Sequence, residues 1–116
     1  MKKEEIKVLV DAKKLATHTV IVTNNLNNFP KKYRFTLVDK IVRCSLDICN
    51  YIIEANTYSG EIRRKWQTKA ITECDKMKLY IEISLVALHP KCSINYWTSL
   101  IDDIERQLRN WRRSTK

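Results

Sequence analysis

Turn-forming residues are scarce in this chain, and that scarcity limits what it can fold into. One glycine and two prolines occur among 116 residues, well below the roughly 7% glycine and 5% proline of an average protein. Because these residues supply most tight turns, the chain must consist of few, long elements. With Gly60 as its single glycine, the chain cannot form a Walker-type phosphate loop or a dinucleotide fingerprint, since each needs two or more glycines. The sequence therefore argues against nucleotide hydrolysis, and its length fits one domain over residues 1–116.

Apolar residues recur at helical spacing in four segments, which are separated by residues 24–30, Ser59-Gly60 and His89-Pro90. The first stripe is Val8, Ala12, Leu15, Thr19, Val22 and Leu26. The second is Leu37, Ile41, Cys44, Ile48, Ile52 and Ala55. The third is Ile62, Trp66, Ala70, Cys74, Met77, Ile81, Leu85 and Leu88, and the fourth is Ile94, Trp97, Ile101, Ile104, Leu108 and Trp111. Short loops favour antiparallel neighbours, so the pattern predicts an all-α, up-down-up-down four-helix bundle.

Local signals set the expected helix limits. Thr36 is the predicted N-cap of the second helix, with Asp39 approximating the acidic member of a capping box. Ser93 is the predicted N-cap of the fourth helix. The first helix is predicted from about Lys3 to Leu26, the second to about Asn56, and the third to near Leu88, since Pro90 cannot continue a helix.

The second helix carries an additional apolar set beside its main stripe. Its members are Val38, Val42, Cys49 and Ile53. One interpretation is a wide stripe that faces the core of a single bundle. The other, which we favour, is a subunit interface, because small domains often complete the burial of their surface by forming oligomers.

Groups that could carry out chemistry are few. His18 and His89 are the available histidines, and neither lies in a recognisable catalytic or metal-binding motif. The four cysteines lack the close spacing of a zinc site and are expected to be free thiols. The charged N-terminal residues do not resemble a secretory signal, which predicts a cytoplasmic location. We therefore expect no enzyme activity, no metal and no cofactor.

A formal net charge of +9 is the remaining feature, and the basic residues are clustered. Cations at the start of the third helix oppose the helix dipole, so a bound polyanion is one reason for their presence. The basic residues among positions 106–116 suit the dipole at the end of the fourth helix. For this cluster the helix dipole and a bound polyanion both stay open as explanations. The three tryptophans fall on apolar stripes, so no exposed aromatic platform for bases is expected. The predicted binding residues are Lys31, Lys32, Arg34, Lys40, Arg43, Arg63, Arg64, Lys65 and Lys69.

The segment before the second helix resembles a known family. It reads Phe29-Pro30-Lys31-Lys32-Tyr33-Arg34-Phe35-Thr36-Leu37 and continues through Ile41-Val42-Arg43-Cys44-Ser45-Leu46-Asp47-Ile48 to Ile53-Glu54-Ala55-Asn56. The chain resembles the Avd (accessory variability determinant) proteins of diversity-generating retroelements. The wider group includes four-helix bundle proteins encoded in 23S rRNA intervening sequences. Glycine, common in relatives at the positions of Val38 and Asn110, is absent here.

The resemblance implies a barrel-shaped homopentamer with a basic surface that binds a reverse transcriptase and nucleic acid. Such a complex performs mutagenic copying of a template RNA, to which this chain would contribute no catalytic residue. The resemblance also implies that Phe29, Pro30, Phe35 and Leu37 shape the turn into the second helix, while Lys31 and Arg34 are exposed. Two alternatives stay open: a relative of the rRNA intervening-sequence type, and a structural oligomer that binds an acidic protein.

Overall fold

Four helices make up nearly the whole protein. The computed structural model describes the backbone of residues 3–116 and the side chains of residues 7–116. The helices are α1 (Lys3–Asn24), α2 (Asp39–Thr57), α3 (Gly60–Leu88) and α4 (Ile94–Ser114), and no strand occurs in the described part. Met1 and Lys2, which begin the predicted domain, lie outside the described residues. The prediction of an all-α protein with four helices is confirmed.

Each helix packs along two neighbours in a closed square. α1 lies against α2 and α4, and α3 lies against the same two helices. Thr19, late in α1, bonds Trp97 at the start of α4, whereas Asp11 bonds Gln107 further along α4. These pairs run in opposite directions along the two helices, so α1 and α4 are antiparallel. The bundle measures 44 × 22 × 19 Å, so its length greatly exceeds its width.

The predicted stripes form the core, with corrections at the ends of the bundle. Buried members include Val8, Leu15, Ile41, Ile48, Ile52, Met77, Ile81, Trp97, Ile101, Ile104 and Leu108. Leu26, Ile62 and Leu85 were expected inside but are 56%, 52% and 43% exposed. Leu26 lies beyond the end of α1, where the helical spacing no longer places it inward. In α3 the inner positions near the ends belong to Gln67 and Ser84, which are fully buried.

The helix ends agree with the sequence at α3 and α4. The hydroxyl oxygen of Ser93 accepts a hydrogen bond of 3.2 Å from the backbone N–H of Tyr96, which confirms the predicted N-cap. α3 ends at Leu88, as predicted. His89 follows in the left-handed conformation, and its N–H donates to the carbonyl of Leu85.

The start of α2 differs from the prediction. Helical backbone begins earlier, as a 3-10 turn (Lys31–Tyr33) followed by a π-helical turn (Arg34–Val38) that runs directly into α2. The Asp39 N–H therefore finds acceptors in the carbonyls of Arg34 and Thr36. A side-chain cap is not needed there, and the Thr36 hydroxyl instead donates to the Tyr33 carbonyl at 3.3 Å. The predicted capping box is wrong for this reason.

Two loops meet at the end of the bundle where α2 begins. Asn28 of the first loop donates through Nδ2 to the carbonyl of Val22 and accepts through Oδ1 from the N–H of Lys91. Phe29 is buried and meets Trp97 edge-on, with ring centroids 6.2 Å apart. These contacts fix the segment that leads into α2.

Candidate nucleic-acid interface

Five of the predicted binding residues gather at this loop end. We call them the loop cluster: Lys31, Lys32, Arg34, Lys40 and Arg43. Their side chains are all exposed. Lys31 and Lys32 lie on the 3-10 turn and Arg34 on the π-helical turn before α2. Lys40 and Arg43 follow on the first turns of α2.

Most of the loop cluster has no acidic partner. Arg43 pairs with Asp39 at 3.1 Å, one turn earlier on α2. In the part of the chain that the structure describes, the other four cations form no ion pair. Lys32 instead lies over the ring of Tyr33, 5.2 Å from its centroid. The charge of this cluster is therefore directed to solvent and available to an anion.

Arg63 and Arg64 have intramolecular roles at the opposite end. Arg63 Nε donates to the carbonyls of Ala55 (2.9 Å) and Tyr58 (2.8 Å), and its guanidinium lies 5.4 Å from the ring centroid of Trp111. Arg64 Nε donates to the carbonyl of Thr115 at 3.0 Å. Carbonyls at the ends of helices lack partners within the helix, so basic side chains stabilise them. These bonds account for two cations at the start of α3 without a bound polyanion.

Lys65 and Lys69 differ from these arginines. Lys65 is exposed, and no ion pair holds it among the described residues. The Lys69 ammonium lies 4.7 Å from the ring centroid of Trp66 and 5.9 Å from that of Tyr51. Such cation–π contacts hold an ammonium at the surface without neutralising its charge.

The structure separates the predicted residues into two groups. Arg63 contacts Ala55, which lies about 22 Å from Lys40 along the axis of α2, at a rise of about 1.5 Å per residue. The start of α3 and the start of α2 are thus at opposite ends of the bundle. One compact site made of all nine residues is therefore not present.

Basic residues from the end of α4 and from the residues that follow it lie beside the group at the start of α3. They are not among the binding residues that the sequence predicts. Arg112 donates to the hydroxyl of Thr68 at 3.3 Å, so the end of α4 lies beside the start of α3. We call the combined set the terminal cluster: Arg63, Arg64, Lys65, Lys69, Arg112, Arg113 and Lys116. Glu61 pairs there with Arg64 at 3.8 Å. The sequence does contain a signal for this contact. Antiparallel neighbours place the end of α4 beside the start of α3, which brings the basic residues of the two helices together.

The additional apolar set of α2 lies on the side of that helix next to α1. Val38 and Cys49 are half-buried against the core, Val42 is half-buried, and Ile53 is 50% exposed. Leu46 belongs to the same side at 48% exposure. We call these five residues the apolar strip. A cleft of about 240 Å³ at its loop end is lined by Val38, Val42, Val20 of α1 and two members of the loop cluster, Lys31 and Arg34.

The turn motif has an unexpected outward-facing residue. Phe29 is buried and Leu37 is half-buried, in agreement with a role in shaping the turn. Phe35, expected to share that role, is 88% exposed. The prediction of no exposed aromatic platform for bases rested on the three tryptophans and did not anticipate this single exposed ring among the cations.

The histidine and cysteine side chains are not members of these clusters. His18 is half-buried and packs edge-on against Tyr96 at 5.1 Å between ring centroids, and burial lowers its pKa. The four cysteines are free thiols. Among the described residues, no group of three or more His, Cys, Asp and Glu side chains could hold a metal ion. Each helix in the described part of the chain is too short or too polar to cross a bilayer.

Fold and surface together define a four-helix bundle with clustered cations at both ends. A crystal structure of a protein of unknown function from the S23 ribosomal protein family of Bacteroides thetaiotaomicron has a similar fold, with a TM-score of 0.81 and 14% sequence identity. The match covers 96% of this chain and 99% of that chain. No protein-family model matches the chain, and its sequence finds no match among curated proteins. The comparison supports the four-helix bundle architecture.

Proposed function

We propose that this protein is a non-catalytic accessory protein of a diversity-generating retroelement, acting in the cytoplasm. In this proposal it binds the reverse transcriptase and the template RNA through its basic surface. The observation that supports nucleic-acid binding best is the loop cluster, in which Lys31, Lys32, Arg34 and Lys40 are exposed without ion pairs in the described part of the chain. The resemblance of the turn motif to Avd proteins supports the choice of partner.

The proposal includes assembly as a homo-oligomer, for which the resemblance suggests five subunits. The apolar strip is the surface that a second copy would cover. Five subunits at +9 each would carry a formal charge of about +45, enough to steer RNA or DNA towards the assembly. The cleft between α1 and α2 joins the strip to Lys31 and Arg34, so oligomerisation through the strip would bring cations from several subunits near one another.

Salt dependence of RNA binding is the direct test. Affinity for a labelled RNA should fall by orders of magnitude between about 50 and about 200 mM salt if several phosphates are neutralised. Reversing charge at Lys31 and Lys32 should weaken binding, whereas the same change at Lys13 and Lys14, exposed on α1, is the matched control. Arg63 and Arg64 are poor choices for this test because their reversal would also remove the bonds to Ala55 and Thr115.

A pull-down from the native host distinguishes the partner assignments. Recovery of a reverse transcriptase together with RNA is the expected result. Absence of RNA binding at low salt would reject the nucleic-acid proposal. Recovery of an acidic protein without RNA would support a structural oligomer that binds an acidic partner instead.

A further inference from the structure

Phe35 is a large apolar side chain exposed at 88%, more than any other large hydrophobic residue described. It lies in the π-helical turn Arg34–Val38, where Leu37 and Val38 are half-buried. Segments of π-helix are rare and are frequently found at functional sites. The turn therefore presents one aromatic ring to solvent while its aliphatic neighbours pack inward.

The surroundings of Phe35 favour a negatively charged ligand. Lys31, Lys32 and Arg34 lie within four residues of it and form no ion pair in the described part of the chain. Tyr33, the adjacent aromatic, is half-buried and has the Lys32 ammonium over its ring. No ring and no cation lies over Phe35 among the described residues, so its face is open. The protein thus combines one open π-face with a cluster of exposed cations.

We propose that the loop cluster binds single-stranded nucleic acid, with Phe35 stacking on an unpaired base. This inference rests on the proposed nucleic-acid-binding function and specifies the form of its ligand. A single strand offers both features that the site matches, since its phosphates meet the cations and its base exposes a π-face. In a duplex the faces of internal bases are covered by their neighbours, so Phe35 gains no contact from an intact helix. An apolar protein partner would cover Phe35 but would leave the surrounding cations without counter-charges.

Oligonucleotide binding by Phe35 variants tests the inference. Anisotropy of a short fluorescein-labelled oligouridine is measured at low salt and compared with that of a duplex RNA. Phe35→Leu keeps an apolar side chain but removes the ring, and we expect about a tenfold loss of affinity for the single strand. Duplex affinity should be unchanged, and Phe35→Tyr should restore single-strand binding. Tyr58→Leu, an exposed aromatic at the opposite end, is the matched control and should bind as the original chain does.

Fluorescence gives a second readout that does not depend on affinity. Phe35→Trp adds an exposed indole to a chain whose tryptophans Trp97 and Trp111 are buried and Trp66 is half-buried. Stacking on a base should quench the added emission when oligouridine binds, and the original chain should show less quenching.

Each outcome decides the matter. Equal single-strand affinity for Phe35→Leu and the original chain, or Phe35→Trp that binds without added quenching, overturns the stacking assignment. An equal loss on the duplex also overturns it, because the ring then acts independently of unpaired bases. A lower mass of Phe35→Leu by light scattering would make Phe35 an oligomer contact. If the original chain binds neither RNA, the proposed function fails before Phe35 is tested.

Discussion

The indole N–H of Trp97 donates a hydrogen bond of 3.0 Å to the hydroxyl oxygen of Thr19. Both side chains have no exposed surface. The Thr19 hydroxyl in turn donates to the carbonyl of Leu15 at 2.7 Å, so it is satisfied as donor and as acceptor. A polar residue thus lies within an apolar stripe of α1 because it provides the partner that a buried indole requires.

Replacing Thr19 with valine should therefore be costly. Thr19→Val keeps the shape but leaves the buried Trp97 N–H without an acceptor, and we expect a loss of about 1–3 kcal/mol in the free energy of unfolding. Thr17→Val is the matched control, because the exposed Thr17 hydroxyl also donates to a carbonyl one turn back, that of Lys13. Urea denaturation measures both. Equal stability of the two variants would contradict the importance of the bond to Trp97.

An ion network joins α3 and α4 at their middle. Lys78 Nζ lies 3.0 Å from Asp102 and 3.2 Å from Glu105, and Arg109 lies 2.9 Å from Glu105. The Glu105 side chain is 12% exposed, whereas that of Asp102 is 62% exposed. Burial opposes ionisation of Glu105, but hydrogen bonds with Arg109, Asp75 and Lys78 outweigh it and lower its pKa. Glu105 is therefore the buried anion on which the network depends.

Glu105→Gln should destabilise the protein more than Asp102→Asn. Loss of the Glu105 charge leaves two cations without their shared partner, at an expected cost of about 1–3 kcal/mol. The exposed pair with Asp102 should contribute about 0–1 kcal/mol. Because the folded state lowers the pKa of Glu105, its contribution is complete above the ordinary value of 4.5 and is lost as pH falls through the lowered value. Urea midpoints of both variants at neutral and acidic pH measure this; a larger effect of Asp102→Asn would contradict the assignment.

The sequence predicts the bundle well because a period of 3.6 residues and scarce breakers determine helices locally. It does not predict the roles of Arg63 and Arg64, because these depend on where the ends of α2 and α4 lie in space. Phe35 escapes prediction for a different reason. A π-helical turn changes the rotation per residue, so Phe35, which the family resemblance associates with shaping the turn, faces outward instead.

His18 should make stability depend on pH near neutrality. Burial lowers its pKa below the ordinary value of 6.5, and its Nε2 has no hydrogen-bond partner among the described atoms. Above 6.5 the histidine is neutral in both states, so folding is unaffected. As pH falls below 6.5 the unfolded chain takes up the proton more readily, so stability declines until the lowered folded pKa is passed. His18→Gln should remove this dependence of stability on pH, measured as the urea midpoint at a series of pH values. An unchanged dependence in the variant would contradict the role of His18.

The cysteines should differ sharply in reactivity. Burial, together with the nearby Glu73 carboxylate, raises the pKa of Cys44 to about 12, and burial raises that of Cys74 further. Near pH 8 a thiol with that pKa is ionised in roughly one molecule in ten thousand, so iodoacetamide should not label either residue in the folded protein. Cys49 and Cys92 are half-buried and should be labelled before the two buried cysteines. Peptide mapping after labelling checks this order, with denatured protein as the control; early labelling of Cys44 would contradict the buried environment.

An acidic residue in the apolar strip should dissociate the proposed homo-oligomer. Val42 is half-buried beside the cleft between α1 and α2, and a carboxylate there would have to be desolvated when a second subunit covers the strip. Val86→Asp is the matched control, since Val86 is 75% exposed on α3, away from the strip. Light scattering should show a lower mass for Val42→Asp and an unchanged mass for Val86→Asp, with circular dichroism confirming that both remain helical. If Val42→Asp keeps the original mass, the strip is a wide core edge of one bundle, and subunit contacts must be sought elsewhere.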